Sequence, residues 1–144
     1  MNSQELEFIL QSKEGFKTEF KESFDAKNLA KEIIAFANSN GGKIYLGVDD
    51  NSKIKEIKIT NKLKSQIQDI AKNCDPSIEI KLEEFKNILI IEIKEGSNKP
   101  YKCSSEFYLR QGANSQKMSR DEILDFAIGE GKIKFDEQIN RKFD

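Results

Sequence analysis

The chain has 144 residues, of which 37% are apolar and 34% charged, with a net charge of −1. That is enough chain for one domain with its own core, and no apolar run is long enough to cross a membrane as a helix. Histidine is absent, which excludes Ser-His nucleophiles, histidine-held zinc and imidazole acid–base chemistry. With charge so nearly balanced, any surface for a polyanion has to be local, because nucleic-acid-binding domains are commonly basic overall.

Met1-Asn2-Ser3-Gln4-Glu5 is polar and has no basic run leading into an apolar segment, so no signal peptide is expected and a cytoplasmic location follows. Leu6, Ile9 and Leu10 fall at helical spacing, which predicts a short amphipathic helix over 3–12 that Gly15 breaks. Phe16 to Lys21 then alternates. Phe16, Thr18 and Phe20 share one face and Lys17, Glu19 and Lys21 the other, so Glu19 is expected to point away from the core.

Asp25 is placed to cap the next helix, whose buried stripe would be Leu29, Ile33, Ile34 and Ala37, with Lys27, Lys31 and Glu32 left in water. Gly41 and Gly42 stop that helix and turn the chain. In the strand that follows, Ile44, Leu46 and Val48 alternate with Tyr45 and Gly47, as in a strand with one well-buried face, and Gly47 marks a close approach by a backbone or ligand.

Asn51 to Lys53 reads as a turn, and Ile54 to Ile59 as a strand pairing back beside the previous one. Thr60 or Asn61 opens a helix carrying Leu63, Ile67 and Ile70, which stops before Cys74-Asp75-Pro76. Ile78 to Leu82 and Ile88 to Ile93 form an antiparallel hairpin turned at Glu84, Lys86 and Asn87. A loop leads through Pro100 to Tyr101-Lys102, and a further strand runs from Glu106 to Arg110. Ser119-Arg120-Asp121-Glu122 has the form of a capping box and opens a helix that ends at Gly129 or Gly131. Cys74 and Cys103 lack metal-ligand spacing and are expected as small, partly buried side chains.

Taken together, Glu19-Phe20-Lys21, the run Ala35-Phe36-Ala37-Asn38-Ser39 with Gly41-Gly42 and Gly47-Val48-Asp49-Asp50, and Tyr108-Leu109-Arg110-Gln111-Gly112 resemble the Schlafen AlbA-type domain. That domain is found at the front of prokaryotic transcriptional regulators and inside the Schlafen proteins. The resemblance and the pattern of elements both imply an α+β fold, a mixed and mainly antiparallel sheet with helices packed on it. Residues 1–131 would be the domain. Residues 132–144 would be a charged tail, read as a linker to a further C-terminal region.

For function the resemblance implies binding of DNA or RNA, as the N-terminal module of a transcriptional regulator and with no cofactor needed for binding. Homodimers are implied as well, since two such lobes come together in the Schlafen proteins. The nucleic-acid-binding set would be Lys21, Lys99, Lys102, Tyr108, Arg110, Lys117 and Arg120, gathered at one edge of the sheet. Tyr101 or Tyr108 would stack on an unpaired base. Arg110 stands out, because a planar guanidinium can bridge two phosphate oxygens. A structural salt bridge from Arg110 to Asp50 or Glu19 is the equally weighted alternative.

An alternative function also comes from the resemblance: a divalent-metal-dependent endoribonuclease in which Glu14, Glu19 and Asp50 are the catalytic and metal-binding residues. Mg²⁺ or Mn²⁺ takes oxygen ligands, bridges to phosphate and generates hydroxide. On a continuous helix Glu14 and Glu19 would lie about 140° apart, so they share a site only because Gly15 breaks it. Asp50 is preferred to Asp49 because it lies two residues past Val48 and side-chain direction alternates along a strand. A protein-interaction module with neither property is the third reading. An ATPase is excluded by the missing P-loop, since Gly41-Gly42-Lys43 leads into a strand and a P-loop leads into a helix.

Overall fold

The computed structural model describes residues 1–103 and 106–129; the expected tail at 132–144 lies outside them. In chain order the elements are α1 (Ser3–Ser12), β1 (Thr18–Lys21), α2 (Ala26–Asn38), β2 (Gly42–Leu46), α3 (Asn61–Lys72), β3 (Ile80–Phe85), β4 (Ile88–Ile93), β5 (Lys102–Cys103), β6 (Glu106–Gln111), β7 (Asn114–Lys117) and α4 (Arg120–Gly129). This is the expected α+β architecture with mostly antiparallel strands. The strands divide into two sheets, β1-β2-β4-β3 and β5-β6-β7. Among the described residues only β1 and β2 run parallel, and α2 supplies the crossover that a parallel pair requires.

The helices start where local chemistry starts them. Asp25 accepts hydrogen bonds from the amides of Lys27 and Asn28 at 3.1 and 3.2 Å. Thr60 accepts from Leu63 at 3.0 Å, and Ser119 and Glu122 form a reciprocal capping box. Each such cap contributes about 1 kcal/mol. The β3–β4 hairpin turns on Lys86 and Asn87, both left-handed at φ 49° and 61°, which matches the twist of the flanking strands.

Both faces of the larger sheet are buried, where one was expected. Ile44, Leu46, Leu89, Ile91 and Ile93 pack against α2 and α3 through Leu29, Ile33, Phe36, Ile67 and Ala71. Tyr45, Ile88, Ile90 and Phe20 face the other way and are covered by Leu6 of α1. Helix α2 is apolar nearly all round, with Leu29, Ala30, Ile33, Ile34, Ala35, Phe36 and Ala37 all buried. A helix of that kind is buried over most of its surface, and α2 keeps only Ala26, Lys27 and Asn28 exposed, with Lys31 half-buried. It lies between the two sheets, and so Glu32, expected in water, is buried with it.

Three further expectations change. Residues 54–59 form no strand: a single bridge joins Val48 to Ile54, and Glu56 at φ 48° breaks the extended run. A strand appears at Asn114–Lys117, whose polar sequence carries no apolar alternation; it pairs with β6 across a turn that Gly112 opens at φ 63°. Glu19 does not point to solvent, because the face of β1 opposite Phe20 meets α2.

Gly42 is required for close packing. A Cβ there would lie 2.5 Å from two ring carbons of Phe36 and 2.8 Å from the Lys17 carbonyl oxygen, while one on Gly15 would meet nothing within 4 Å. Replacing Gly42 by Ala is therefore expected to cost about 1–3 kcal/mol, as overpacking does. Replacing Gly15 by Ala is expected to leave stability near that of the native chain. Urea unfolding of the two variants beside the parent checks this, and an undiminished Gly42→Ala variant would show that the Phe36 ring is free to move.

Candidate nucleic-acid interface

The residue singled out for phosphate contact lies at the centre of the structure. Arg110, on β6, has a side chain with 0% exposure. One terminal nitrogen donates to the Gly15 carbonyl at 2.8 Å and to the Thr18 carbonyl at 3.0 Å, and lies 2.8 Å from Glu19 Oε1 as an ion pair. The other reaches Glu32 Oε1 at 3.2 Å and Ser115 Oγ at 3.1 Å. Ser115 in turn donates to Glu32. The Phe36 ring lies 4.6 Å from the guanidinium carbon, in cation–π contact. Arg110 is thus the structural ion pair that was the alternative, with Glu19 as one partner and Glu32, not Asp50, as the other.

Lys21 belongs to the same cluster, its ammonium 3.1 Å from Glu32 and 3.5 Å from Glu19. Burial would lower the pKa of Lys21, but the two carboxylates outweigh it and the net direction is upward. Glu14 stands at the edge and accepts the Phe20 amide at 3.0 Å. Three carboxylates therefore face two cations. Burial, then the charges of Glu32 and Glu14, push Glu19 up to about 7 against the opposing pull of Arg110. Glu19 therefore takes up a proton more readily than an ordinary carboxylate.

The structure brings Glu14 and Glu19 together but not Asp50. Asp50 is exposed beyond β2. Its neighbour Asp49 is turned inward as a turn-former: it accepts the amides of Lys53 and Asn51 at 2.9 and 2.8 Å, and these bonds, with Lys55 adding less, hold its carboxyl below the ordinary range. Among the described residues no three Asp, Glu or Cys side chains are grouped so that they could hold a metal ion. Glu19 is bonded to a guanidinium and Glu14 to a backbone amide. This donor set does not fit Mg²⁺ or Mn²⁺, which require several free oxygens directed at one point.

The remaining cations of the expected set lie outside this cluster, each with a carboxylate beside it. Lys99 pairs with Glu95 at 2.6 Å, Lys102 with Asp75 at 4.0 Å, Lys117 with Glu106 at 2.9 Å and Arg120 with Asp121 at 3.9 Å. Lys117 and Arg120 are 66% and 88% exposed. Tyr108 stands directly opposite Lys117 in the β6–β7 register, so the two side chains share a face. That face borders an open groove of about 520 Å³ between α2, α3 and the smaller sheet. Ala30, Ile34 and Ile70 line it together with Tyr108, and Lys27 and Lys31 of α2 contribute to its wall.

Sequence reasoning missed Glu32, Phe36, Asn38, Ser39 and Ser115 as working residues. The Asn38 amide donates to the carbonyls of Tyr101 and Tyr108 at 3.0 and 2.8 Å and accepts the Tyr101 amide at 2.6 Å. Ser39 Oγ accepts the Arg110 amide at 2.9 Å. The available signal was the unbroken run Ile33 to Ala37, which leaves the second half of α2 no face for water and so buries Glu32 and Asn38 with it.

The proton on the cluster has a measurable consequence. The folded pKa of Glu19 lies above its ordinary 4.5, so the folded chain binds the extra proton and this contribution to stability is present below about pH 4.5 and lost as pH rises through about 7. The urea midpoint is expected to fall between pH 5 and pH 8, and to do so much less in a Glu19→Gln variant, which carries the neutral form permanently. An equal slope in both proteins would place the proton elsewhere.

The family model described as Schlafen, AlbA_2 matches residues 14–119. A search of curated proteins finds no match. Among solved structures the chain is similar to the DIP2311 protein from Corynebacterium diphtheriae, with a TM-score of 0.59 and 18% identity over 79% of this chain. The match takes in 24% of that protein, so the chain spans about a quarter of its length, and a likeness at this identity concerns the fold alone. The matched residues run from Glu14 beside the buried cluster to Ser119 at the capping box of α4, and the chain belongs to the Schlafen AlbA_2 family.

Proposed function

We propose that the chain binds single-stranded nucleic acid at the groove between α2, α3 and the smaller sheet, as one module of a transcriptional regulator, and that a second copy joins it there. The observation that carries this reading is the groove itself: an apolar floor, an aromatic wall at Tyr108, Lys27 and Lys31 in its lining beside Asp69 and Glu106, and Lys117 across the strand pair from Tyr108. An unpaired base has an apolar face of matching character and stacks on an aromatic ring for about 1–3 kcal/mol. Its flanking phosphates take the lysines.

Lys102 and Arg120 extend the cationic set outward, while Lys21 and Arg110 are excluded because their charge is neutralised inside the fold. Exposed ion pairs such as Lys117–Glu106 contribute only about 0–1 kcal/mol, so a phosphate can replace the carboxylate at little cost. Membership of the Schlafen AlbA_2 family supports an association with nucleic acid, and the net charge of −1 requires that it be confined to one patch.

Labelled single-stranded DNA and RNA titrated across a salt series test the reading. Contacts through three lysines predict a log–log slope near −2, since each phosphate neutralised on a single strand contributes about −0.7. A variant with Lys27, Lys31 and Lys117 all changed to Ala is expected to lose most of that slope. Undetectable binding at low salt, or an unchanged slope in the triple variant, would overturn the groove as the site. Cleavage of the RNA in Mn²⁺ by the parent but not by Glu19→Ala would move the reading to a nuclease.

A further inference from the structure

Cys74 and Cys103 are 29 residues apart in sequence but neighbours in the fold. Cys74 follows α3, is buried, and donates its S–H to the Ile70 carbonyl at 3.3 Å. Cys103 ends β5, is half-buried, and lines the groove. What joins them is an isolated antiparallel bridge one residue away on each side. The Asp75 amide donates to the Lys102 carbonyl at 2.9 Å, and the Lys102 amide donates to the Asp75 carbonyl at 2.9 Å.

When two residues exchange both bonds in this way, the next pair outward is a non-hydrogen-bonded pair. Its Cα atoms approach to about 4.5 Å, with side chains closer than at any other position of an antiparallel ladder. That separation lies within the range spanned by disulfides, about 4.4–6.8 Å between Cα atoms. Here the outward pair is Cys74 and Cys103. They also pack in one apolar cluster, and the neighbouring Cys103 thiol helps burial push Cys74 up to about 12.

We propose that Cys74 and Cys103 are a redox pair that closes to an intramolecular disulfide, tying the end of α3 to β5 at the edge of the groove. The oxidant is a small disulfide such as oxidised glutathione, which reaches the half-buried thiol first. The Cys103 thiolate attacks one sulfur of the oxidant, the oxidant's S–S bond breaks, and one glutathione thiolate leaves and takes up a proton. Cys74 then gives its proton to solvent base and attacks Cys103 Sγ. The mixed disulfide breaks and the second glutathione thiolate leaves and is protonated. Two protein thiols are oxidised and one oxidised glutathione is reduced to two thiols. The second step is the slow one at neutral pH, because the buried thiol holds its proton, and it accelerates as pH rises.

The cross-link requires little backbone movement, since the Asp75–Lys102 bonds already hold the two segments in register. It would anchor β5, a strand of only two residues, and so reinforce the element that forms one end of the groove.

The full chain incubated with oxidised glutathione at pH 8 tests this. The expected product is a monomer 2 Da lighter than the reduced chain, with no alkylatable thiol after denaturation and one peptide linking Cys74 to Cys103. Its thermal midpoint is expected to rise by roughly 5–10 °C and to return on adding dithiothreitol. A Cys74→Ser variant is expected to stop at the glutathione adduct on Cys103, and a Cys103→Ser variant to remain unmodified under native conditions. Two persisting adducts, two free thiols, a cross-link between chains, or a bond that forms only in urea would each overturn the pairing.

Discussion

The arrangement depends on one guanidinium. Arg110 comes from the smaller sheet, Glu19 from the larger one and Glu32 from the helix between them, and the carbonyls of Gly15 and Thr18 complete the set. Taking such charges out of water carries a desolvation penalty of several kcal/mol per ion, and their attraction offsets it only when geometry is good and the remaining donors are satisfied. Five acceptors surround the two terminal nitrogens, while Nε is buried with no partner among the described residues, so the condition is met in large part and not in full. Losing one partner would leave a buried charge uncompensated, which typically costs about 3–5 kcal/mol. The cluster therefore does less to raise stability than to specify how the two sheets sit across α2. No lysine could replace Arg110, since an ammonium is a point charge without a planar fork.

The same constraint explains why the recognisable motif is where it is. Phe36 supplies the ring under the guanidinium, Asn38 clamps the backbone of Tyr101 and Tyr108, and Ser39 receives the Arg110 amide. Gly42 must lack a side chain because the Phe36 ring occupies the space. The run from Ala35 to Gly42 thus serves as a docking surface for the smaller sheet. These residues hold the fold together.

Much of the fold was legible because it is written locally. The caps at Asp25, Thr60 and Ser119 satisfy backbone amides with side chains two or three residues away, and the Lys86-Asn87 turn sets its own hairpin. What was not legible depends on distant partners. The polar strand 114–117 exists because β6 offers it a ladder. Glu19 alternates with Phe20 as a solvent-facing residue would, and nothing within ten residues reveals that α2 covers that face. Glu32 sits one turn from Asn28 and directly follows Lys31, and reads as surface until the smaller sheet closes over it. Of the expected cationic set, sequence could not divide the buried Lys21 and Arg110 from the exposed Lys117 and Arg120.

That division decides where a polyanion can approach. Lys21 and Arg110 are held by carboxylates that are themselves buried, in a setting where water cannot take over either partner. A phosphate offered to them would have to displace Glu32 or Glu19 from a dry interior and leave a second unpaired anion behind. Lys117 faces Glu106 with both side chains in solvent, where the carboxylate, once released, is simply rehydrated. The exchange is close to balanced there, and adding further phosphates along one strand tips it, because each neutralised phosphate also releases a counterion. Lys27 and Lys31 stand beside the same opening on the exposed edge of α2. A chain with a net charge of −1 can thus present a cationic surface only outside the interlock of the two sheets, and the groove bordered by Tyr108 is where its exchangeable cations and an apolar floor coincide.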